Sequence, residues 1–110
     1  MKLEMFDGRV IEDPTEDEIR TELAGLDDAQ GDGFAILFSP NDHFMQTAGD
    51  SSNGFVLEYQ EGSLDHHYHA TDDEITLDQV TKVFLDYNSG SSDWRTAFNY
   101  EKLDVFASDE

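Results

Sequence analysis

The chain predicts a single α+β domain: a mostly antiparallel sheet of about five to six strands with two main helices. Three observations lead there. A chain of 110 residues has the usual size of one domain. Several short apolar or alternating segments are separated by turns rich in Gly, Asp, Ser and Asn, the pattern of an antiparallel meander. Two longer segments carry apolar residues at helical spacing behind a capping signature. No internal repeat and no long linker divides residues 1–110.

Lys2 to Phe6 alternates, with Leu3 and Met5 on one side and Lys2 and Glu4 on the other, as a half-buried strand does. Asp13-Pro14-Thr15-Glu16 predicts a helix start with Asp13 as cap, Pro14 at the first helical position and Glu16 reaching back. Ile19, Leu23 and Leu26 continue it at spacings of four and three. Leu26 to Gly33 reads as a loop. Phe34 to Phe38 is apolar at every position, which predicts a central strand covered on both faces.

Phe44 to Ala48 is a weaker strand, and Gly49 to Gly54 is a turn. Phe55, Leu57 and Tyr59 then share one face of the next strand, opposite Val56, Glu58 and Gln60. Asp65 to Ala70 reads as a strand with His66, Tyr68 and Ala70 on one side and Asp65, His67 and His69 on the other. Thr76-Leu77-Asp78-Gln79 is a second capping box, followed by the apolar stripe Val80, Val83, Phe84 and Tyr87 and ended by Asn88-Ser89-Gly90. Trp94 is expected in the core. Beyond it, Leu103 and Val105 alternate with Lys102 and Asp104 as a last strand.

Charge is the strongest compositional feature: 26 Asp plus Glu stand against six Lys plus Arg, a formal net charge of −20. Such a surface repels nucleic acid and anionic lipid and attracts basic proteins. At 37% hydrophobic and 12% aromatic content, the chain still has the material for a core. The absence of Cys removes disulfides, thiolate metal sites and Cys nucleophiles. No apolar run has the length of a membrane span, and the acidic opening lacks the stretch of a signal peptide. The expectation is a cytoplasmic protein with no cofactor.

Candidate metal ligands are His67 and His69, two residues apart on one strand face, with Asp65 adjoining. Imidazole and carboxylate suit zinc and similar ions, but a third or fourth ligand has to come from His43 or scattered acids. Asp65-His66-His67 also spells a tripeptide of metal-dependent phosphoesterases, whose further Asp and His motifs this chain lacks. No serine sits in a Gly-x-Ser-x-Gly context, no Gly-rich phosphate loop is present, and 26 acids make chance carboxylate pairs uninformative. The chemistry therefore reads as that of a binder rather than an enzyme.

Acids cluster at Glu16-Asp17-Glu18, at Asp27-Asp28, at Glu58 with Glu61 and Asp65, and at Asp72-Asp73-Glu74. Together with Tyr59 and Tyr68 as aromatic anchors, the clusters from Glu58 to Glu74 form the candidate partner-binding set. The stretch ITLDQVTKVFLDYNSGSSDWRTAF, Ile75 to Phe98, resembles the closing half of small immunity proteins from bacterial polymorphic toxin systems, matched at Phe84, Tyr87, Gly90 and Trp94. That resemblance spans roughly a quarter of the chain and implies a role in covering the active site of a basic toxin, commonly a nuclease or deaminase. Two other expectations stand beside it: a salt-adapted domain whose carboxylates hold water and cations, or a metal-binding protein using the His66–His69 segment.

Overall fold

The computed structural model describes residues 1–29, 33–40 and 43–102. They form one α+β domain with a seven-stranded antiparallel sheet in the order β2-β1-β3-β4-β5-β6-β7. In chain order the elements are β1 Lys2–Met5, β2 Val10–Glu12, α1 Glu16–Ala24, β3 Phe34–Ser39, β4 His43–Asp50, β5 Gly54–Glu61, β6 His67–Ala70, α2 Leu77–Ser89 and β7 Tyr100–Lys102. Three short 3₁₀ turns, Gly25–Ala29, Leu64–His66 and Asp93–Thr96, link them. The strand count is seven rather than five to six because Val10–Glu12 forms a short edge strand.

Both helices lie over one face of the sheet. Leu3, Met5, Ala35, Leu37, Met45, Phe55 and Leu57 point into that layer and meet Ile19, Leu23, Leu26, Val80, Val83 and Phe84 in one core. Burying such side chains contributes about 1.5–3 kcal/mol each. The helices are started by their own side chains. Thr15 Oγ1 accepts from the Glu18 N–H at 3.1 Å while Glu18 Oε1 accepts from the Thr15 N–H at 2.8 Å, and Thr76 and Gln79 repeat the exchange at 3.2 and 2.8 Å. Each satisfies donors that a helix start leaves unpaired.

The first capping box thus lies two residues later than Asp13 and Glu16 predict. Asp13 takes a left-handed backbone at φ 49°, and its carboxylate sits 3.4 Å from the chain's terminal ammonium. Pro14 precedes the cap, and its carbonyl accepts from Asn88 Nδ2 of α2 at 3.2 Å, tying the helices together.

Gly49 and Gly90 are among the five described glycines held at positive φ. Gly49 has φ 126°, and a Cβ there would overlap the Gly54 carbonyl oxygen across the β4–β5 hairpin. Gly90, at φ 85°, terminates α2, and the Ser91 N–H returns to the Asp86 carbonyl at 3.0 Å, the closing pattern of a Schellman motif. Trp94 is buried, as expected from sequence. It closes an aromatic cluster in which Tyr59, Tyr87 and Tyr100 meet its ring at 4.7, 5.3 and 6.2 Å. The alternation expected at Leu103 and Val105 lies outside the described residues; the strand before it, β7, spans Tyr100–Lys102.

Candidate functional site

With both helices on one side, no described element covers the other face of the sheet. This overturns the expectation that Phe34 to Phe38 is covered on both faces: Ala35 and Leu37 are buried, whereas Phe34 is 40% exposed and Ile36 and Phe38 are half-buried. Side chains alternate along a strand, so the pairing register states which residues share the open face. One row across the sheet runs Glu12, Lys2, Phe38, Phe44, Gln60, His67. The next runs Val10, Glu4, Ile36, Gln46, Glu58, His69, Glu101. A third holds Phe34, Ala48 and Val56, with Phe6 edge-to-face on Phe34 at 6.4 Å.

The first row is an aromatic ridge. The Lys2 ammonium lies 5.1 Å from the Phe38 ring centroid, Phe38 is 5.9 Å from Phe44, and Phe44 is 5.9 Å from the His67 imidazole. His67, 8% exposed, is fixed at the end of the ridge: Nε2 lies 2.8 Å from Glu58 Oε1 and Nδ1 lies 3.1 Å from Gln60 Oε1. Gln46 Nε2 donates to the same Glu58 oxygen at 2.9 Å. The second row is therefore polar at its β4–β6 end. Beside it Phe34, Ile36, Ala48 and Val56 floor a depression of about 290 Å3, with Gln46 and Glu58 on its wall. Val56 is 59% exposed.

The metal candidates are not brought together. Asp65 and His66 belong to the 3₁₀ turn before β6 rather than to the strand, so Asp65 does not adjoin His67 and His69 as sequence spacing implies. Both ring nitrogens of His67 already face Glu58 and Gln60, and among the described residues no group of three or more His, Asp or Glu is placed to hold a metal ion.

The partner-binding candidates divide among separate places. Glu58 is on the open face. Tyr59 and Tyr68 face the helices instead, stacked at 4.9 Å; Tyr59 is 7% exposed and part of the core, and half-buried Tyr68 packs against it. Glu61 pairs with Arg95, whose guanidinium lies 4.4 Å from the Trp94 ring centroid; that hydrogen bond holds the Glu61 carboxyl below its ordinary value. Asp65 is exposed. Asp72 accepts from the Asn99 N–H at 2.8 Å, Asp73 is exposed, and Glu74 lies at φ 57° in the approach to Ile75.

Missed by sequence reasoning are Phe34, Ile36 and Val56. The available signal was arithmetic: two short helices can cover one face of a wide sheet, not two, so apolar residues of the opposite phase had to be exposed. No family model, no curated protein and no solved structure matches the chain. No helix among the described residues is long and apolar enough to cross a membrane.

Proposed function

We propose that this protein is an acidic protein-binding domain, an inhibitor of the immunity type that blocks a basic, nucleic-acid-processing partner such as a toxin nuclease or deaminase. One observation carries the reading: half of the few cations are held by the chain's own acids. Arg9 is held by Asp7 at 2.8 Å and Glu22 at 2.7 Å, Lys82 by Asp86 at 2.9 Å, and Arg95 by Glu61. Three of six bases are thereby neutralised locally, and the chain has no cations to offset its net charge of −20.

A protein that binds phosphates needs a positive groove, and a fixed array of carboxylates competes for the same field. A scaffold that holds its acids on a rigid sheet and two capped helices loses little entropy in doing so. No assembled nucleophile, base and oxyanion donor accompanies the acids among the described residues, so binding is the chemistry the surface offers.

The test is kinetic. A basic partner captured from extract of the source cells is identified, and its association rate is measured between about 0.05 M and about 0.5 M salt. Electrostatic steering predicts a fall of roughly tenfold or more, with a much smaller change in dissociation. An association rate indifferent to salt rejects the mechanism.

A further inference from the structure

The open sheet face combines exposed apolar side chains with carboxylates, and these are arranged in order. Phe34 and Val56, 40% and 59% exposed, border a depression whose other walls are Ile36, Ala48, Gln46 and Glu58. The row beside it carries Glu4 on β1, Glu58 on β5 and Glu101 on β7. Lys2 brings a cation to the same face, and its ammonium is drawn over Phe38.

We infer that this face is the docking surface, and that its occupant is a basic protein presenting one projecting apolar side chain ringed by Lys or Arg. The inference rests on the reading of the protein as a binder of basic partners, and adds to it the place and chemistry of the contact. The apolar side chain enters between Phe34, Ile36, Ala48 and Val56, while surrounding cations meet Glu4, Glu58 and Glu101.

Two arguments fix the occupant. A depression of about 290 Å3 lies at the lower limit of the ~300–1,000 Å3 range of small-molecule pockets, so it suits one side chain rather than a cofactor. Charge selects among macromolecules: a second copy, itself at −20, would bring carboxylate rows face to face, whereas a basic surface meets them with the opposite sign. Apolar contact at the centre with charge at the rim is the anatomy of a specific interface.

The test is a titration of the isotope-labelled full chain, followed by amide chemical shifts, with three short synthetic helical peptides. One presents Leu and Trp on one face and Lys and Arg on the other. The second keeps the cations but carries Ser in place of Leu and Trp. The third keeps Leu and Trp but carries Glu in place of the cations. The expected result is that the first shifts the amides of Phe34, Ile36, Ala48 and Val56, that the second binds roughly tenfold more weakly, and that the third does not bind.

Val56→Ser and Phe34→Ser, both at exposed positions and both checked for an unchanged spectrum elsewhere, are expected to weaken the first peptide to the level of the second. Equal affinity for both basic peptides, or shifts centred on the acids of α1, overturns the docking surface while leaving a basic partner in place. Failure of every basic peptide to bind at low salt overturns the underlying reading as well. Concentration-dependent self-association that Val56→Ser abolishes assigns the face to a second copy and overturns the proposal.

Discussion

The imidazole of His67 on β6 and the carboxylate of Glu58 on β5 meet at 2.8 Å on the open face of the sheet, one residue away from Tyr59 and Tyr68, which stack at 4.9 Å on the opposite face. The β5–β6 pairing is thus held from both sides, by a polar contact above and by rings below.

Removing either partner of the polar contact leaves the other short of a bond. His67→Ala and Glu58→Ala are each expected to cost about 1–3 kcal/mol, read by urea unfolding. In the double variant the losses combine to less than their sum, with a coupling of at least about 0.5 kcal/mol. Full additivity would show that the two side chains act independently.

Gly49 and Gly90, both at positive φ, separate strain from steric overlap. At Gly90 an added Cβ meets nothing within 4 Å, so Gly90→Ala is expected to cost only the left-handed backbone, about 1 kcal/mol. At Gly49 the Cβ collides with the Gly54 backbone as well, so Gly49→Ala costs more than that, and the hairpin has to shift. Thermal melts of the two variants rank them; a smaller loss at Gly49 contradicts the hairpin geometry.

Burial raises the hydroxyls of Tyr59, Tyr87 and Tyr100 above their ordinary value, Tyr87 to about 12. In the unfolded chain they ionise near pH ~10. A folded value above the unfolded one means that the stability they contribute is complete below about pH 10 and is lost as pH rises from there toward the folded values. Tyrosinate absorbance in an alkaline titration is therefore expected to lag behind free tyrosine and then rise together with loss of near-ultraviolet circular dichroism.

Self-repulsion at −20 opposes the compact state, and screening relieves it, since the Debye length falls from about 10 Å at 0.1 M to about 3 Å at 1 M. The domain is expected to be folded at low salt and to gain roughly 5 °C in Tm, about 1 kcal/mol, by the time salt reaches about 0.5 M. A chain that folds only above molar potassium chloride is the salt-adapted alternative, and that outcome removes the electrostatic argument for a partner.

Much of the fold is legible in the residues, because local chemistry and tertiary role agree there. The stripe Val80, Val83, Phe84 sits behind a real capping box at Thr76 and Gln79, and Phe55, Leu57 and Tyr59 alternate into the core. Where they disagree, sequence reading slips. Asp13-Pro14 imitates a helix start, but Thr15 and Glu18 offer the same exchange and leave Asp13 for the terminal ammonium. Val10–Glu12 exposes two of its three residues and gives almost no periodic signal.

Less of the candidate site is visible. An unbroken apolar run such as Phe34 to Phe38 reads the same whether its second face is covered or presented to a partner. Only the count of covering helices distinguishes the two. Glu58 and His67 belong together through strand register, which a sequence separation of nine residues does not encode directly.

The strand order carries one more consequence. Apart from the closure of β3 onto β1 around α1, every ladder joins strands that follow one another along the chain. Such wiring lets the hairpins from β3 to β6 zip locally, and leaves two long closures, β3 onto β1 around α1 and β7 onto β6 around α2, which are expected to form last because their ends are far apart along the chain.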